Sequence, residues 1–498
     1  MSKRWTLVAT IIASSMTFID GTVVNVALPA LQRSFGATIA DVQWVIEAYA
    51  LFLGALLLVG GSLGDQLGRK RIFLIGVVAF TVASVCCGLA ATPMMLIVAR
   101  AVQGIGAALL VPGSLAIITA TFDGEERGRA IGTWSGFSAI TTAIGPVAGG
   151  WLVEHASWRA AFFINIPFAL VVVVLSIRYV EETRDATRAG ALDWLGATLT
   201  VLALGGMVFG LLQSQSLGWT HPLVAGSVAA GLVLFGLLVA VERRAANPMI
   251  NLDLFGSRTF ALANLLTLFL YGALGMMLFV VPLELIEVQG YTATLAGATL
   301  LPVPIILFAL SRWSGGLVTR VGHRLPLTVG PATAALGIGL LGIAGGSGPH
   351  SLWAQWIPAM VVLGIGMAVT VAPLTTTVMN AVEGTHAGMA SGINNAVSRV
   401  AGLLAIAVFG VVLSRSFESN VTPRLEQMRL PAAAQSALQP ELRKMAAASV
   451  DSIAAIPADR RAAVHTTIDS SFSSAYRSVM LWLCVLSLAA AVVGAAMT

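Results

Sequence analysis

Apolar residues in this chain fall in long unbroken runs, separated by short polar or charged breaks. A window of about 19 residues picks out fourteen runs, near 7–29, 44–64, 72–91, 95–118, 130–152, 159–180, 195–213, 223–241, 260–282, 292–311, 325–345, 353–374, 389–413 and 475–497. The runs lack the alternation of barrel strands and are too long for them. Each approaches the roughly 20 residues with which a helix crosses a bilayer. The pattern predicts an all-α integral membrane protein with 14 transmembrane helices.

Composition agrees. Of 498 residues, 57% are apolar and 10% charged, and mean hydropathy is +0.88. Soluble proteins carry about 25% charged residues, so a soluble enzyme is excluded. The net charge of +5 does not point to nucleic acid, because the bases sit in short clusters between runs. Cys86, Cys87 and Cys484 lie inside runs and form neither a disulfide framework nor a metal spacing. The first run is too long for a signal peptide and leads into further spans.

The basic clusters set an expected orientation. Lys3 and Arg4, Arg69 to Arg71, Arg127 and Arg129, Arg184 and Arg188, Arg243, Arg244 and Arg258, and Arg312, Arg320 and Arg324 all fall on one side. The short loops opposite hold little beyond Arg33 and Arg159. The positive-inside rule then places both termini in the cytoplasm of a cell-membrane protein. The segment 415–474 falls outside and reads as two short amphipathic helices, which either cap the outer opening or, by default, form a passive connector.

Two parts of the chain repeat. Gly61-Ser-Leu-Gly-Asp-Gln-Leu-Gly68 matches Gly315-Gly-Leu-Val-Thr-Arg-Val-Gly322 at an offset of 254, and Gly132-Thr-Trp-Ser-Gly136 matches Gly388-Met-Ala-Ser-Gly392 at 256. Gly104-Ile-Gly106 before Pro112 likewise echoes Gly364-Ile-Gly366 before Pro373, so the matches pair helices 2, 4 and 5 with 10, 12 and 13. The expected organisation is two pseudo-repeated six-helix bundles, 1–181 and 259–498, with two inserted central helices in 182–258. A repeat of this kind, with its site at the interface of the halves, is transporter architecture. The chemically loaded residues do not repeat: Asp65 becomes Thr319, and Arg100 aligns with Met360.

Four segments carry a family likeness: FIDGTVVNVALP (18–29), GSLGDQLGRKR (61–71), LIVARAVQGIGAALLVPG (96–113) and AIGPVAGG (143–150). With SWRAAFFINIPF (157–168), they resemble the major facilitator superfamily, and within it the fourteen-helix drug:proton antiporters. Thr141 departs from the pattern, where the fifth-helix motif usually begins with Gly. The resemblance implies proton-coupled export of lipophilic, cationic drugs by alternating access, with protons as coupling ion and no cofactor. It also implies small-molecule partners in a lipid bilayer, and no nucleic acid. The alternatives are a proton-driven exporter of one endogenous metabolite or lipid, and a nutrient symporter; the Gly145–Pro146–Gly149 pattern speaks against the latter. The chain is expected to be monomeric.

Asp20 lies near the middle of the first helix, where a charged side chain costs at least about 2.5–3.5 kcal/mol and marks a functional site by default. The bland alternative is an aspartate that holds helices together. Arg100, six residues into the fourth helix, falls at comparable depth, so the two are expected to pair, with Asp20 protonation releasing Arg100. Gln103 and Asn25 orient these groups or merely bond neighbouring helices. Glu47 is shallower by about 8 Å and belongs either to the proton path or to the wet interface.

Asp65 ends the second helix, where a negative charge needs compensation from Arg69 or another helix N-terminus. The resemblance makes this loop a latch between the halves that favours the outward-open state. Gly61, Gly64 and Gly68 permit a tight turn, and Arg69, Lys70 and Arg71 also fix topology. Gly145, Pro146, Gly149 and Gly150 give a kinked, close-packing surface that the resemblance associates with antiport. Glu284 and Glu287 share one helical face at the outer end of the ninth helix. They attract cationic substrates or, the favoured reading, are simply solvated. Arg399 is a central cation without an assigned partner or role.

Gly60-Gly-Ser62-Leu-Gly64 and Gly337-Ile-Gly339-Leu-Leu-Gly342 mimic a hydrolase elbow and a dinucleotide fingerprint, but both lie inside spans instead of strand-turn-helix contexts. No Gly-Lys pair exists, so no Walker A loop supplies ATP drive. No catalytic constellation argues for an enzyme.

Overall fold

The structure, a computed structural model, describes residues 2–184, 193–245, 252–346, 351–382 and 387–497. Arg188, counted above among the basic loops, lies outside the described residues. Among the described residues there is no strand, and fourteen helices are long and apolar enough to cross a membrane. They are α1 (Ser2–Phe35), α2 (Ile39–Leu67), α3 (Arg69–Gly88), α4 (Pro93–Thr121) and α5 (Gly124–His155). Next come α6 (Ala160–Tyr179), α7 (Trp194–Leu217), α8 (Pro222–Glu242), α9 (Arg258–Val288) and α10 (Ala293–Ser311). The last four are α11 (Arg324–Ala344), α12 (Leu352–Asn380), α13 (Ala387–Gln427) and α14 (Ala458–Ala495).

Local chemistry starts these helices where the apolar runs begin. Thr38 and Asp41 form a reciprocal capping box at α2, which satisfies two orphan N–H groups. Thr92 caps α4, with Pro93 in its first turn. Ser257 caps α9 through the Phe260 N–H.

Packing repeats eight helices apart. In the first half α1 packs on α5 and α6, α2 on α4, and α3 on α4 and α6; in the second, α9 packs on α13 and α14, α10 on α12, and α11 on α12 and α14. The loop after α2 repeats in conformation too, because Gly68 (φ 115°) and Gly322 (φ 75°) both occupy the left-handed region. Helices α7 and α8 pack on each other, and α7 also contacts α2 and α13. It therefore bridges the two halves.

The halves meet chiefly at the end of the bundle opposite the N-terminus. There Arg33 of α1 pairs with Glu287 of α9 at 2.8 Å. Thr294, at the start of α10, donates its N–H and hydroxyl to Glu154 of α5 at 2.8 and 2.6 Å. Gln43 of α2 donates to the Ile406 carbonyl of α13 at 3.4 Å.

Segment 415–474 departs from the expected connector. Helix α13 continues to Gln427 and α14 begins at Ala458, so both run beyond the apolar runs that defined them. A short helix, Ala432–Leu442, lies between them. Leu430, Ala434, Leu438, Ile453 and Ile456 are buried in the main core cluster. This hairpin docks on the first half, with Gln32 donating to the Lys444 carbonyl at 2.9 Å and the Ile39 N–H to the Arg443 carbonyl at 3.3 Å. Away from this hairpin end Gly21, halfway along α1, is exposed and fronts a hollow, with nothing within 4 Å of where its Cβ would stand.

Candidate functional site: a buried ion pair

Five helices of the first half converge on one carboxylate. Asp20 is 1% exposed, and so is Arg100. Arg100 Nη1 donates to Asp20 Oδ2 at 2.5 Å and to Gln103 Oε1 at 2.8 Å, while its Nε donates to the Val45 carbonyl at 3.1 Å. The guanidinium lies 4.2 Å from the centre of the Tyr49 ring, a cation–π contact. Gln103 Nε2 donates to Asp20 Oδ1 at 2.8 Å. Asn165 of α6 approaches the same oxygen with Nδ2 at 3.4 Å and reaches Ser84 Oγ of α3 at 3.0 Å.

Every group bonded to Asp20 is thus an N–H donor, the surrounding an ionised carboxylate requires. A buried pair of this kind is not a cheap way to gain stability, since removing two charges from water can outweigh their attraction. It does store a large response. Withdrawing either charge leaves the other buried and uncompensated, at about 3–5 kcal/mol.

The spacing argument that placed Asp20 and Arg100 together agrees with this geometry, and Gln103 orients both. Asn25 lies one turn beyond Gly21 on the hollow side and donates back to the Gly21 carbonyl at 3.3 Å. Glu47 differs from its wet-interface alternative: it is fully buried, and neither carboxylate oxygen has a hydrogen-bond partner among the described residues. It sits on the face of α2 that carries Gln43, Leu51 and Gly54. That face meets α7 and α13, and Leu51 shares a hydrophobic cluster with Leu204, Val208 and Leu212 of α7 and Leu403 and Ala407 of α13. Arg399 faces the same stripe, its Cβ 3.6 Å from where a Cβ on Gly54 would stand.

Simple solvation of the α9 glutamates is overturned. Glu284 is 0% exposed in a π-helical turn. It accepts from the Gly346 N–H at 3.0 Å, Ser473 Oγ at 3.0 Å and Gln289 Nε2 at 3.3 Å, so it ties α9 to α14 and the end of α11. Glu287 is nearly buried and paired with Arg33. The hairpin and α14 cover an end that the apolar pattern alone leaves open to water.

At the opposite end, Asp65 pairs with Arg69 at 2.8 Å within its own loop. Of the loop glycines, Gly68 is the one its geometry requires, because it has positive φ and a Cβ there would lie 2.7 Å from Glu182. Cβ atoms on Gly61 and Gly64 would meet only ordinary contacts. Lys70 Nζ donates to the Ile177 carbonyl of α6 at 3.1 Å. In α5, Gly145 and Gly149 lie against α1, and Gly150 and Pro146 lie against the start of α10. One motif therefore serves both an intra-half and an inter-half contact.

Asn165, Tyr49, Ser84 and Glu182 also belong to these contacts, and no spacing in the sequence singles them out. A lone amide in the run Phe162-Phe-Ile-Asn165-Ile-Pro was the available signal. In the second half Met360 stands where Arg100 stands in the first, and Asn394 of α13 donates to Asn264 Oδ1 and Thr267 Oγ1 of α9 at 3.1 and 2.7 Å.

A membrane fold of two repeated bundles with a charged pair buried among its helices has the plan of a secondary transporter. The chain belongs to the Major Facilitator Superfamily, whose sequence profile matches residues 10–406. It is 36% identical to multidrug resistance protein Stp of Mycobacterium tuberculosis, over 85% of this chain and 78% of Stp. It is 34% identical to puromycin resistance protein pur8 of Streptomyces alboniger, over 82% of each chain. The tetracenomycin C resistance and export protein of Streptomyces glaucescens shares 32% identity over 86% of this chain and 79% of its own length. Among solved structures, the fold is similar to a bacterial homologue of the human lysosomal transporter Spinster, in an inward-facing and unoccupied conformation. That likeness has a TM-score of 0.69 at 17% identity and covers 99% of this chain and 97% of the other.

Proposed function

We propose that the protein is a proton-coupled antiporter that exports lipophilic, cationic drugs by alternating access. The observation that carries this reading is the Asp20–Arg100 pair, buried beside the hollow and surrounded by donors. With both termini cytoplasmic and the chain working as a monomer in the cell membrane, the closed hairpin end faces outward and the hollow opens to the cytoplasm. Asp20 is then ionised in the inward-facing state, having released its proton to the cytoplasm. In the outward-facing state it takes a proton, Arg100 is freed, and the halves rock back. Glu47, on the face of α2 toward α13 and α7, is a second acid on this path. The Asp65–Arg69 loop re-engages the second half when the hairpin end opens.

The drive is adequate, since one charge crossing 100 mV is worth about 2.3 kcal/mol. The relatives carry names of resistance to chemically unrelated compounds, which weighs against a single native metabolite or lipid as cargo. Uptake of ethidium into inverted membrane vesicles tests the reading. Accumulation should require the interior-acid pH gradient and collapse when a protonophore is added. Accumulation indifferent to the gradient would refute it.

A further inference from the structure

Two of the three donors at Asp20 are amides, and one of them is incompletely used. Asn165 is 1% exposed, yet its Oδ1 has no hydrogen-bond partner among the described residues. An unmet buried acceptor is costly. A leucine of similar size would pack there without that penalty, so helix packing alone does not account for the amide.

What an amide offers is reversal. Turned by half a rotation, it presents an acceptor where it presented a donor. Ionised Asp20 needs donors, whereas neutral Asp20 carries an O–H that needs an acceptor. Arg100 cannot accept, and Gln103 Oε1 is already engaged by Arg100. Among the groups bonded to Asp20, Asn165 Oδ1 is the acceptor still open. Ser84 can follow the turn, because its hydroxyl now donates to the Phe162 carbonyl at 2.8 Å while accepting from Asn165. Once the amide has turned, that hydroxyl has Asn165 Oδ1 within reach instead.

We infer that Asn165 is a positioning residue for proton exchange, donating to Asp20 when it is ionised and accepting from it when it is protonated. The inference rests on the proton-coupling reading of Asp20. The proton arrives from water in the outward-facing state and ends on Asp20 Oδ1; Asn165 neither gains nor loses one. The turn carries the change to α3 through Ser84 and to α6 through Asn165 itself. The other charged or titratable groups facing Asp20 are Arg100 from α4, Tyr49 from α2 and Cys87 from α3, with Arg399 of α13 beyond Tyr49.

The test is an infrared titration of the full-length protein, reading the protonated-carboxyl band that Asp20→Asn removes. Charge-assisted bonds are roughly twice as strong as neutral ones, so losing the amide favours the neutral acid. Asn165→Leu should therefore move the midpoint of that band to higher pH by about 0.5–1 unit. Ser84→Ala, which keeps the amide but loosens it, should shift it less in the same direction, and it serves as the test if Asn165→Leu does not fold. Uphill tetraphenylphosphonium exchange by Asn165→Leu should show a lowered kcat with KM little changed. A midpoint unmoved or lowered in the folded variants overturns the inference. Absence of any band lost in Asp20→Asn would instead overturn the coupling reading beneath it.

Discussion

Arg33 of α1 and Glu287 of α9 stand 254 positions apart in sequence and 2.8 Å apart in space, where the two halves must part if the hairpin end is to open. The arginine is more than half exposed, so the pair contributes modestly, about 0–1 kcal/mol. Beside it the docked hairpin adds the bonds of Gln32 and Ile39 to the Lys444 and Arg443 carbonyls.

Glu287→Gln should accordingly shift the population toward the hairpin-open state by at most about fivefold. Labelling of a cysteine introduced at Asn25 by an impermeant maleimide, added from the hairpin side, reads that population. A change of two orders of magnitude would show that this pair is the principal lock.

Arg100→Ala leaves Asp20 buried beside no cation. Loss of uphill transport is expected, together with a destabilisation approaching about 3–5 kcal/mol. Adding Asp20→Asn should return much of that stability but no coupling, a non-additivity that thermal unfolding of the two single variants and the double variant reveals. Arg100→Lys should also fail, because one ammonium cannot reproduce the fork that holds Asp20, Gln103 and the Val45 carbonyl together.

Gly150 and Gly145 should separate two roles within one motif. A Cβ on Gly150 would clash with the Ala293 carbonyl oxygen, a backbone atom of the other half. Gly150→Ala should hold the hairpin end ajar, raising maleimide labelling at position 25 from that side and cutting transport more than about tenfold. A Cβ on Gly145 would meet the Thr22 hydroxyl, a side chain. Gly145→Ala should therefore cost stability without changing which side is open.

The fourteen spans were legible because each is a long apolar run, and the Asp20–Arg100 pairing because helical rise converts sequence position into depth. The fates of Glu47, Glu284 and Glu287 were not. Each is decided by neighbours distant in sequence: α7 and α13 closing over Glu47, and Ser473 and the Gly346 N–H reaching Glu284. Helices α13 and α14 also outran their apolar runs, because alanine-rich polar stretches sustain a helix after the hydrophobic signal ends. Asn165 was hidden for the opposite reason: a single amide in an apolar run carries no spacing that points at Asp20.

Glu182 shows the same limit at the other end of the bundle. Its two oxygens accept the Lys70 and Arg71 N–H groups, both at 3.1 Å, and so cap α3, whose N-cap is a glycine. Glu182→Ala should lower stability by about 0.5–2 kcal/mol, and Glu182→Gln, which keeps an acceptor, by less. Thermal unfolding of the purified variants checks the order; equal losses would assign the effect to charge instead of capping.

The most direct measurement uses proteoliposomes carrying either the wild-type protein or Asp20→Asn, loaded with tetraphenylphosphonium and given an imposed pH gradient. The wild type should move the cation against its own gradient. The variant should retain at most downhill exchange, with no response to pH. Uphill movement by Asp20→Asn, driven by the pH difference, would contradict the account.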